Sequence, residues 1–401
     1  MRKASHLQKG RNGDSASAPI VSIKRSELRP ITRLLLAIRA GGRCEFDGCN
    51  RDLTEHHVTL TEGNFAEVAH IVAFKPEGPR GKDALRPRDV NDVANLMLLC
   101  PACHKLVDDH PGDYSRTTLE EYKRRHEERI RHVTGLGPGQ RTTVLVLKAQ
   151  IGEQTVAIPF GHILEAVAPR YPISRPGVLL DLTLVAGNGA GFMDVARTTI
   201  DQRLSRLYEP QGEASQSGHV SVFALAPIPL LVFLGTKLSN KVPVDIFQRH
   251  RDTESWAWKT DGTPLEYEFR QLRRGSTKEN VALAVSLSGT IALVDLPAEI
   301  DSGFSVYELR PMGITPNPTL LRLRADLENF RVAYQEAIGT IIRDHGLIPA
   351  IHLFPAVPAP VAVLCGRELL PKVHPALAVY DYDKQKGGFR FQLKVNDYEH
   401  Q

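Results

Sequence analysis

Cysteine is scarce in this 401-residue chain. The five thiols, at positions 44, 49, 100, 103 and 365, are too few and odd in number for the disulfide framework of a secreted scaffold. Tryptophan occurs only at 256 and 258, and aromatic residues total 6%. No stretch approaches the roughly 20 apolar residues that a membrane helix needs, which excludes a span of that kind and predicts no membrane partner. The opening MRKASHLQKGRNGDSASAPI is basic but has no apolar core. Residues 1–20 therefore read as a disordered polar tail rather than an export signal, and the cytoplasm is the expected compartment. Charge of one sign is not in large excess either. The formal net charge is +4, and it belongs entirely to the first third: Lys plus Arg divide 23 to 27 between residues 1–140 and the rest, Asp plus Glu 19 to 27. A domain that meets phosphate would carry such a surplus, though the surplus alone is weak support.

What the chain has is length and punctuation. At 42% hydrophobic and 24% charged its composition is that of a soluble globular protein, and its length suits two or three domains. GLGPGQ at 135–140 follows a polar helical stretch, TTLEEYKRRHEERIRHV (117–133), in which Thr117 and Glu120 have capping-box spacing. The alternating strand TTVLVLKA comes next. These signals place a first domain over 21–134, a linker over 135–140 and a second domain over 141–401.

Beyond the linker the chain repeats itself. FALAPIPLLVFLGTKLSNKVP (223–243) aligns without a gap on FPAVPAPVAVLCGRELLPKVH (354–374), matching Pro227 to Pro358, Pro229 to Pro360, Gly235 to Gly366 and Lys241 to Lys372. Four matches at one shift point to a duplication. Each copy follows a long helix candidate (195–210, 317–346) and an apolar strand, so the expected architecture is α/β, two Rossmann-like units. In such sheets ligands sit beyond the carboxyl ends of strands, where the Pro-x-Pro turns and VAGNGAG (185–191) fall. The same residues also serve simply to turn the chain.

Cys44 and Cys49 bracket four residues, Cys100 and Cys103 two. Two short-spaced pairs far apart in sequence can give one tetrahedral zinc site with four thiolates, the alternative being a redox pair. Cys365, alone in an apolar run, is expected to be a buried small hydrophobe. If CHKLVDD opens a helix, His104 and Asp108 project from one face and suit a divalent ion with positions left for water and phosphate oxygens. A surface histidine near an acid is the plainer alternative. Upstream, EVAHIVAF places His70 in a short apolar strand, and Asn95 begins NLMLLCPACH.

The order His70, Asn95, His104, braced by two cysteine pairs, resembles the HNH endonuclease family over about residues 40–112. That resemblance implies an α+β domain of the ββα-metal type with a structural Zn2+ on Cys44, Cys49, Cys100 and Cys103. It assigns His70 as the general base that deprotonates water, a role that neutral imidazole suits at cellular pH. His104 and Asp108 would hold Mg2+ or another divalent cation, which polarises the phosphoryl oxygen and stabilises the departing 3′ oxygen. Asn95 would tie down the loop that orients His70. The chain departs from the family at Ala69, where many relatives place Asp or His as a further metal ligand. That leaves a smaller ligand set, Glu67 or a water. EHH at 55–57 offers His57 as a second candidate base. Lys75, Arg80, Lys82, Arg86 and Arg88, in KPEGPRGKDALRPR (75–88), are the expected contacts to the phosphates of double-stranded DNA.

In the second domain FALAPIPLLVFLG, FQRHRDTESWAWKTDG (247–262) and LFPAVPAPVAVLCGRELLPKVHPALAVYDYD resemble the SAVED domain, itself similar to two fused CARF-like units. Joined to an HNH domain, it resembles the effector nucleases of bacterial CBASS anti-phage systems. A cyclic di- or trinucleotide made during infection would then bind the second domain and drive a homo-oligomeric assembly that switches on DNA degradation. Such a messenger needs aromatic faces for bases and cations for phosphates. Trp256, Trp258, Lys259 and Arg249 are the candidates, with Lys237 and Arg367 after the repeat glycines; core packing of both tryptophans is the alternative. Two rival readings are a modification-dependent restriction endonuclease and a catalytically inert DNA-docking module with a ligand sensor.

Overall fold

A computed structural model describes residues 28–151, 157–183, 185 and 190–397. The tail at 1–20 and residues 186–189 of VAGNGAG lie outside the described residues. Contacts divide the chain into two compact units, Met1–Gly135 and Leu136–Gln401.

In the first unit, helix α1 (Pro30–Ala40) begins on a proline and stops at Gly41, whose φ of 62° is the left-handed cap that glycine adopts without strain. Strands β1 (Glu67–His70) and β2 (Leu96–Leu99) pair antiparallel, with Glu67 opposite Leu99 and His70 opposite Leu96. All four residues of β2, LMLL, are buried, so this strand anchors β1 and the helix that follows directly. That helix, α2 (Pro101–Asp109), has Cys100 at its N-cap and Pro101 in its first turn. Helix α3 (Arg116–Thr134) is capped two residues earlier than the Thr117–Glu120 spacing suggests. Its cap is Ser115, whose hydroxyl accepts the Thr118 N–H at 3.2 Å, and the Thr117–Glu120 pair falls inside the helix. His126 of α3 lies 2.9 Å through Nε2 from the Ala40 carbonyl and ties α3 to α1. Leu36, Leu53, Ile71, Leu96, Leu99, Val107 and Leu119 form the core.

The second unit holds two sheets. The first is wholly parallel: β3 (Arg141–Lys148) pairs with β4 (Tyr171–Pro172), β5 (Val178–Asp181) and β6 (Val220–Leu225), and β6 pairs with β7 (Val244–Ile246). Helices α4 (Phe160–Val167), α5 (Ala190–Leu207), α6 (Glu213–Ser217) and α7 (Ile228–Lys237) connect them. The second sheet has the order β13-β12-β11-β9-β10-β8. Its strands are β8 (Tyr267–Arg273), β9 (Val281–Ser286), β10 (Ser305–Pro311), β11 (Ala350–Ala356), β12 (Ala376–Tyr382) and β13 (Phe389–Val395). The middle four are parallel, and β8 and β13 close the edges antiparallel. Strand β9 is buried at every residue, as expected of an apolar run covered on both faces. Helices α8 (Arg324–His345) and α9 (Ala359–Arg367) complete the unit.

The duplicated segments become β6–α7–β7 and β11–α9–β12. Each Pro-x-Pro turn starts a helix, Pro227 and Pro358 at the N-caps, where a missing N–H costs nothing. The two helices pack on each other through the matched glycines. A methyl on Gly235 would come within 2.0 Å of the Val363 carbonyl oxygen, and one on Gly366 within 1.9 Å of the Val232 carbonyl oxygen. Val232 and Val363 are themselves partners in the repeat, so the contact is reciprocal.

Candidate functional site

The four paired cysteines come from two turns held together by backbone. Cys44 N–H donates to the Arg51 carbonyl and Glu45 N–H to the Leu98 carbonyl, both at 2.9 Å, while Cys100 N–H points at Cys44 Sγ at 3.3 Å. All four sulfurs lie within 4.8 Å of one another, against about 3.8 Å for thiolates tetrahedrally arranged around zinc. Burial pushes the Cys44 thiol up to about 12, so ionising it in place calls for a cation among the sulfurs. The donor set fits a structural zinc held by Cys44, Cys49, Cys100 and Cys103. Cys365 is fully buried in α9.

Asn95 is buried and uses every polar group it has. Its Oδ1 accepts the Val72 N–H at 2.9 Å, its Nδ2 donates to the carbonyls of Val72 at 3.0 Å and Val90 at 2.8 Å, and its own carbonyl accepts the Ile71 N–H at 2.8 Å. The two residues after His70 are thereby fixed. His70 itself is half-buried at the end of β1, with Nε2 3.0 Å from Asn91 Oδ1.

On α2, His104 and Asp108 stand one turn apart, Nε2 to Oδ2 3.4 Å, and Nδ1 of the same ring lies 2.7 Å from Glu67 Oε2 on β1. One imidazole thus bridges carboxylates from two elements. The bond to Asp108, aided by Glu67, raises the His104 pKa against burial. Burial would raise Asp108, but His104 and the Arg80 charge hold it below its ordinary value. A carboxylate on Nδ1 is the usual device for presenting Nε2 to a metal, so His104 Nε2 and Asp108 are the groups that could hold a divalent cation, with Glu67 as orienting partner. Ala69 is buried and offers no donor; Glu67, two residues earlier, points to the same side of the strand. His57 lies exposed, its ring against His56 at 4.8 Å.

Two of the five loop cations are committed elsewhere. The Arg80 side chain is only 5% exposed. It donates to the carbonyls of Ile71 at 2.6 Å, Val107 at 2.8 Å and Tyr114 at 3.3 Å, and lies 3.5 Å from Asp108 Oδ1. It therefore ties the chain just after His70 to the last turn of α2. Arg86 donates to the carbonyls of Ala73 and Phe74, both at 2.7 Å, and Gly81 at 3.1 Å. As DNA contacts these two are corrected to loop braces; Lys75, Lys82 and Arg88 are exposed. Sequence spacing also missed Asn91 and Glu67 as partners of the two histidines, since each contact joins residues over 20 apart.

The six ligand candidates of the second unit separate. Trp256 is 1% exposed and packs on Phe223 in the core, so it presents no face to a base. Lys237 ends α7 and pairs with Asp201 at 2.6 Å; Arg367 ends α9 and donates to the carbonyl of Val244, the first residue of β7. Both helices run back from the carboxyl ends of their strands, which leaves these two cations at the amino ends, away from the expected ligand side. The other three gather just past the carboxyl end of β7. Arg249 pairs with Glu254 at 2.8 Å, Lys259 Nζ reaches Thr253 Oγ1 at 2.9 Å, and the half-buried Trp258 ring stands edge-on to His250 at 6.0 Å. Gln248, His250 and Arg322, unnoticed in the sequence, share this region.

Residues 44–111 match the HNH endonuclease family, and residues 202–395 match the SMODS-associated and fused to various effectors sensor domain, SAVED. No curated protein matches the chain in sequence. Among solved structures, the Cap4 SAVED/CARF-domain containing receptor of Acinetobacter baumannii with the cyclic trinucleotide 3′3′3′-cAAA aligns at TM-score 0.42 and 11% identity, covering 74% of this chain and 62% of that one. The same receptor with 2′3′3′-cAAA aligns at 0.41 and 13%, covering 77% and 64%. The Moraxella osloensis Cap4 receptor aligns at 0.37 and 12%, covering 73% and 60%. This chain thus spans less than two thirds of the length of each of these structures. Among the described residues no helix is long and apolar enough to cross a membrane.

Proposed function

We propose that this chain, an HNH endonuclease domain joined to a SAVED sensor domain, is an effector nuclease of a CBASS-type anti-phage system that cleaves double-stranded DNA when a cyclic oligonucleotide occupies the sensor. The union of these two domains in one chain is the observation that carries the reading. His70, whose Nε2 lies 3.0 Å from Asn91 Oδ1, is the general base that takes the proton from the attacking water. Asn95 holds the backbone on which that ring is mounted. His104 and Asp108 would hold the divalent cation, which supplies charge stabilisation at the phosphoryl and leaving oxygens. Glu67 keeps the His104 ring in orientation. Lys75, Lys82 and Arg88 neutralise flanking phosphates, giving steep salt dependence and little sequence choice. Messenger-driven assembly of copies is the switch.

The test is plasmid cleavage by the purified full chain with a divalent ion, with and without a panel of cyclic di- and trinucleotides. Cleavage only when a messenger is present supports the reading. Dependence on base modification instead would indicate a restriction enzyme, and DNA binding without cleavage under every condition a docking module. His70→Ala should lower the activated rate about 10²- to 10⁴-fold while leaving messenger-driven assembly unchanged. Cleavage that persisted would move the base to another residue, His57 first.

A further inference from the structure

Lys75, Lys82 and Arg88 face solvent, but Arg80 on the same loop is an enclosed cation with a side chain only 5% exposed. Its backbone takes a φ of 56°, the left-handed region that a residue with a Cβ occupies at a cost and only where its surroundings hold it. The turn around it is wound tightly. A methyl on Gly81 would collide with the carbonyl oxygens of Lys75 and Pro76, and one on Gly78 would come within 2.7 Å of Ala73 Cβ. Arg86, bonded to the carbonyls of Ala73, Phe74 and Gly81, clamps the same turn. Strain, glycines and a second arginine together aim one guanidinium inwards.

That guanidinium lands between the two halves of the candidate centre. Nε donates to the Ile71 carbonyl at 2.6 Å, one residue after His70, and Nη1 to the Val107 carbonyl at 2.8 Å, one residue before Asp108. Nη2 lies 3.5 Å from Asp108 Oδ1, whereas Asp108 Oδ2 is the oxygen at His104 Nε2, 3.4 Å away. A planar fork with fixed donor directions can hold the end of β1, the last turn of α2 and a carboxylate at once. The ion pair is too long to add much stability; what it fixes is which oxygen faces His104.

We propose that Arg80 is a positioning residue of the nuclease centre. It keeps Asp108 Oδ2 beside His104 Nε2 as a ligand pair for the divalent cation, and it sets the spacing of that pair from His70 through the Ile71 and Val107 carbonyls. The inference rests on the nuclease reading above and deepens it. A positive charge beside a metal ligand by itself weakens cation binding, so a competing charge and a positioning fork predict opposite effects when Arg80 is replaced. Arg80→Lys keeps the charge and loses the fork.

The test compares Mn2+ binding to the zinc-loaded full chain, read by calorimetry without DNA, with kcat and KM for plasmid cleavage under the conditions that activate the wild type; His104→Ala identifies the Mn2+ site. Arg80→Lys should bind Mn2+ about 10- to 100-fold more weakly, as loss of an orienting partner does, and kcat should fall with KM for DNA unchanged. Arg86→Lys, whose lost bonds to Ala73, Phe74 and Gly81 stay within the loop, should match the wild type in both. If Arg80→Lys does not fold, Arg80→Gln, which buries no charge, takes its place, and a drop in Mn2+ affinity there would support positioning against the electrostatic trend. Wild-type Mn2+ affinity and kcat in folded Arg80→Lys would overturn the positioning role and leave a loop brace. Tighter Mn2+ binding by Arg80→Gln, or a change confined to KM, would overturn it in favour of a competing charge or a DNA contact. A wild type that binds Mn2+ but cuts no plasmid would fail the nuclease reading while the Mn2+ comparison still decides positioning; a wild type with no His104-dependent Mn2+ site would overturn the ligand pair and the positioning role with it.

Discussion

Arg80 offers a direct way to separate a loop brace from a DNA contact, because sequence and structure assign it opposite jobs. Its guanidinium is almost entirely enclosed and supplies two short bonds, 2.6 Å to Ile71 O and 2.8 Å to Val107 O. Charged donors of this kind are worth about 1.5 kcal/mol each in net stability, giving about 3 kcal/mol for the pair. The 3.3 Å contact to Tyr114 O and the 3.5 Å contact to the half-exposed Asp108 add little. Arg80→Ala should therefore cost the first unit about 3 kcal/mol in urea denaturation. Arg80→Lys should cost somewhat less, since one ammonium cannot reproduce the fork. Lys82→Ala, at an exposed site on the same loop, should stay within about 0.5 kcal/mol. In DNA binding the order reverses. Lys82→Ala should lower the slope of log affinity against log salt by about 0.9, whereas folded Arg80→Lys should leave the slope unchanged. An Arg80→Ala protein that lost under about 1 kcal/mol and also lost a unit of salt slope would refute the brace.

Further outcomes follow from the same geometry. Cys100→Ser should release one zinc per chain and abolish the melting transition of the first unit while that of the second persists, because zinc binding and folding are coupled in small metallodomains; a folded, zinc-free variant, read by elemental analysis and calorimetry, would refute the clip. Gly235→Ala or Gly366→Ala should destabilise the second unit by about 3 kcal/mol or more, since a methyl would meet a backbone carbonyl at 2.0 or 1.9 Å; a loss under about 1 kcal/mol would mean the helices can separate freely. Burial holds His352 below its ordinary pKa, so the unfolded chain binds its proton first. Its contribution is complete above about pH 6.5 and declines as pH falls towards the folded value. His352→Gln should accordingly flatten the fall in melting temperature between pH 7 and 5, and an unchanged profile would refute the assignment.

How far the sequence could be read depended on how local each signal was. The cysteine pairs, the His104–Asp108 spacing and the apolar strand before Cys100 are short-range patterns, and each element formed where its own residues placed it. The partners of the histidines were invisible for the opposite reason: Glu67 reaches His104 across 37 positions and Asn91 reaches His70 across 21. Charge on a loop says nothing about whether the group faces solvent, which is why Arg80 and Arg86 read as DNA contacts although backbone carbonyls hold both. Trp256 and Trp258 differ by one intervening residue, yet the chain bends at Ala257 between them, and one ring lies in the core while the other is half-buried.

The duplication gives the second unit two copies that share a frame and differ in the strand that follows the helix. Both copies run strand, Pro-x-Pro helix, strand, and their helices meet through the same glycine, so the frame is symmetric. The strands that follow are not. In the second copy the strand after the helix continues for seven residues, Ala376–Tyr382, and carries an antiparallel neighbour, which consumes its backbone groups in the sheet. In the first copy it stops after three, Val244–Ile246; the Phe247 N–H still donates to the Val222 carbonyl, and the chain leaves the sheet from Gln248. A duplicated scaffold of this kind keeps its stability in the shared helix contact, so changes to the glycine contact should act on folding of the whole unit.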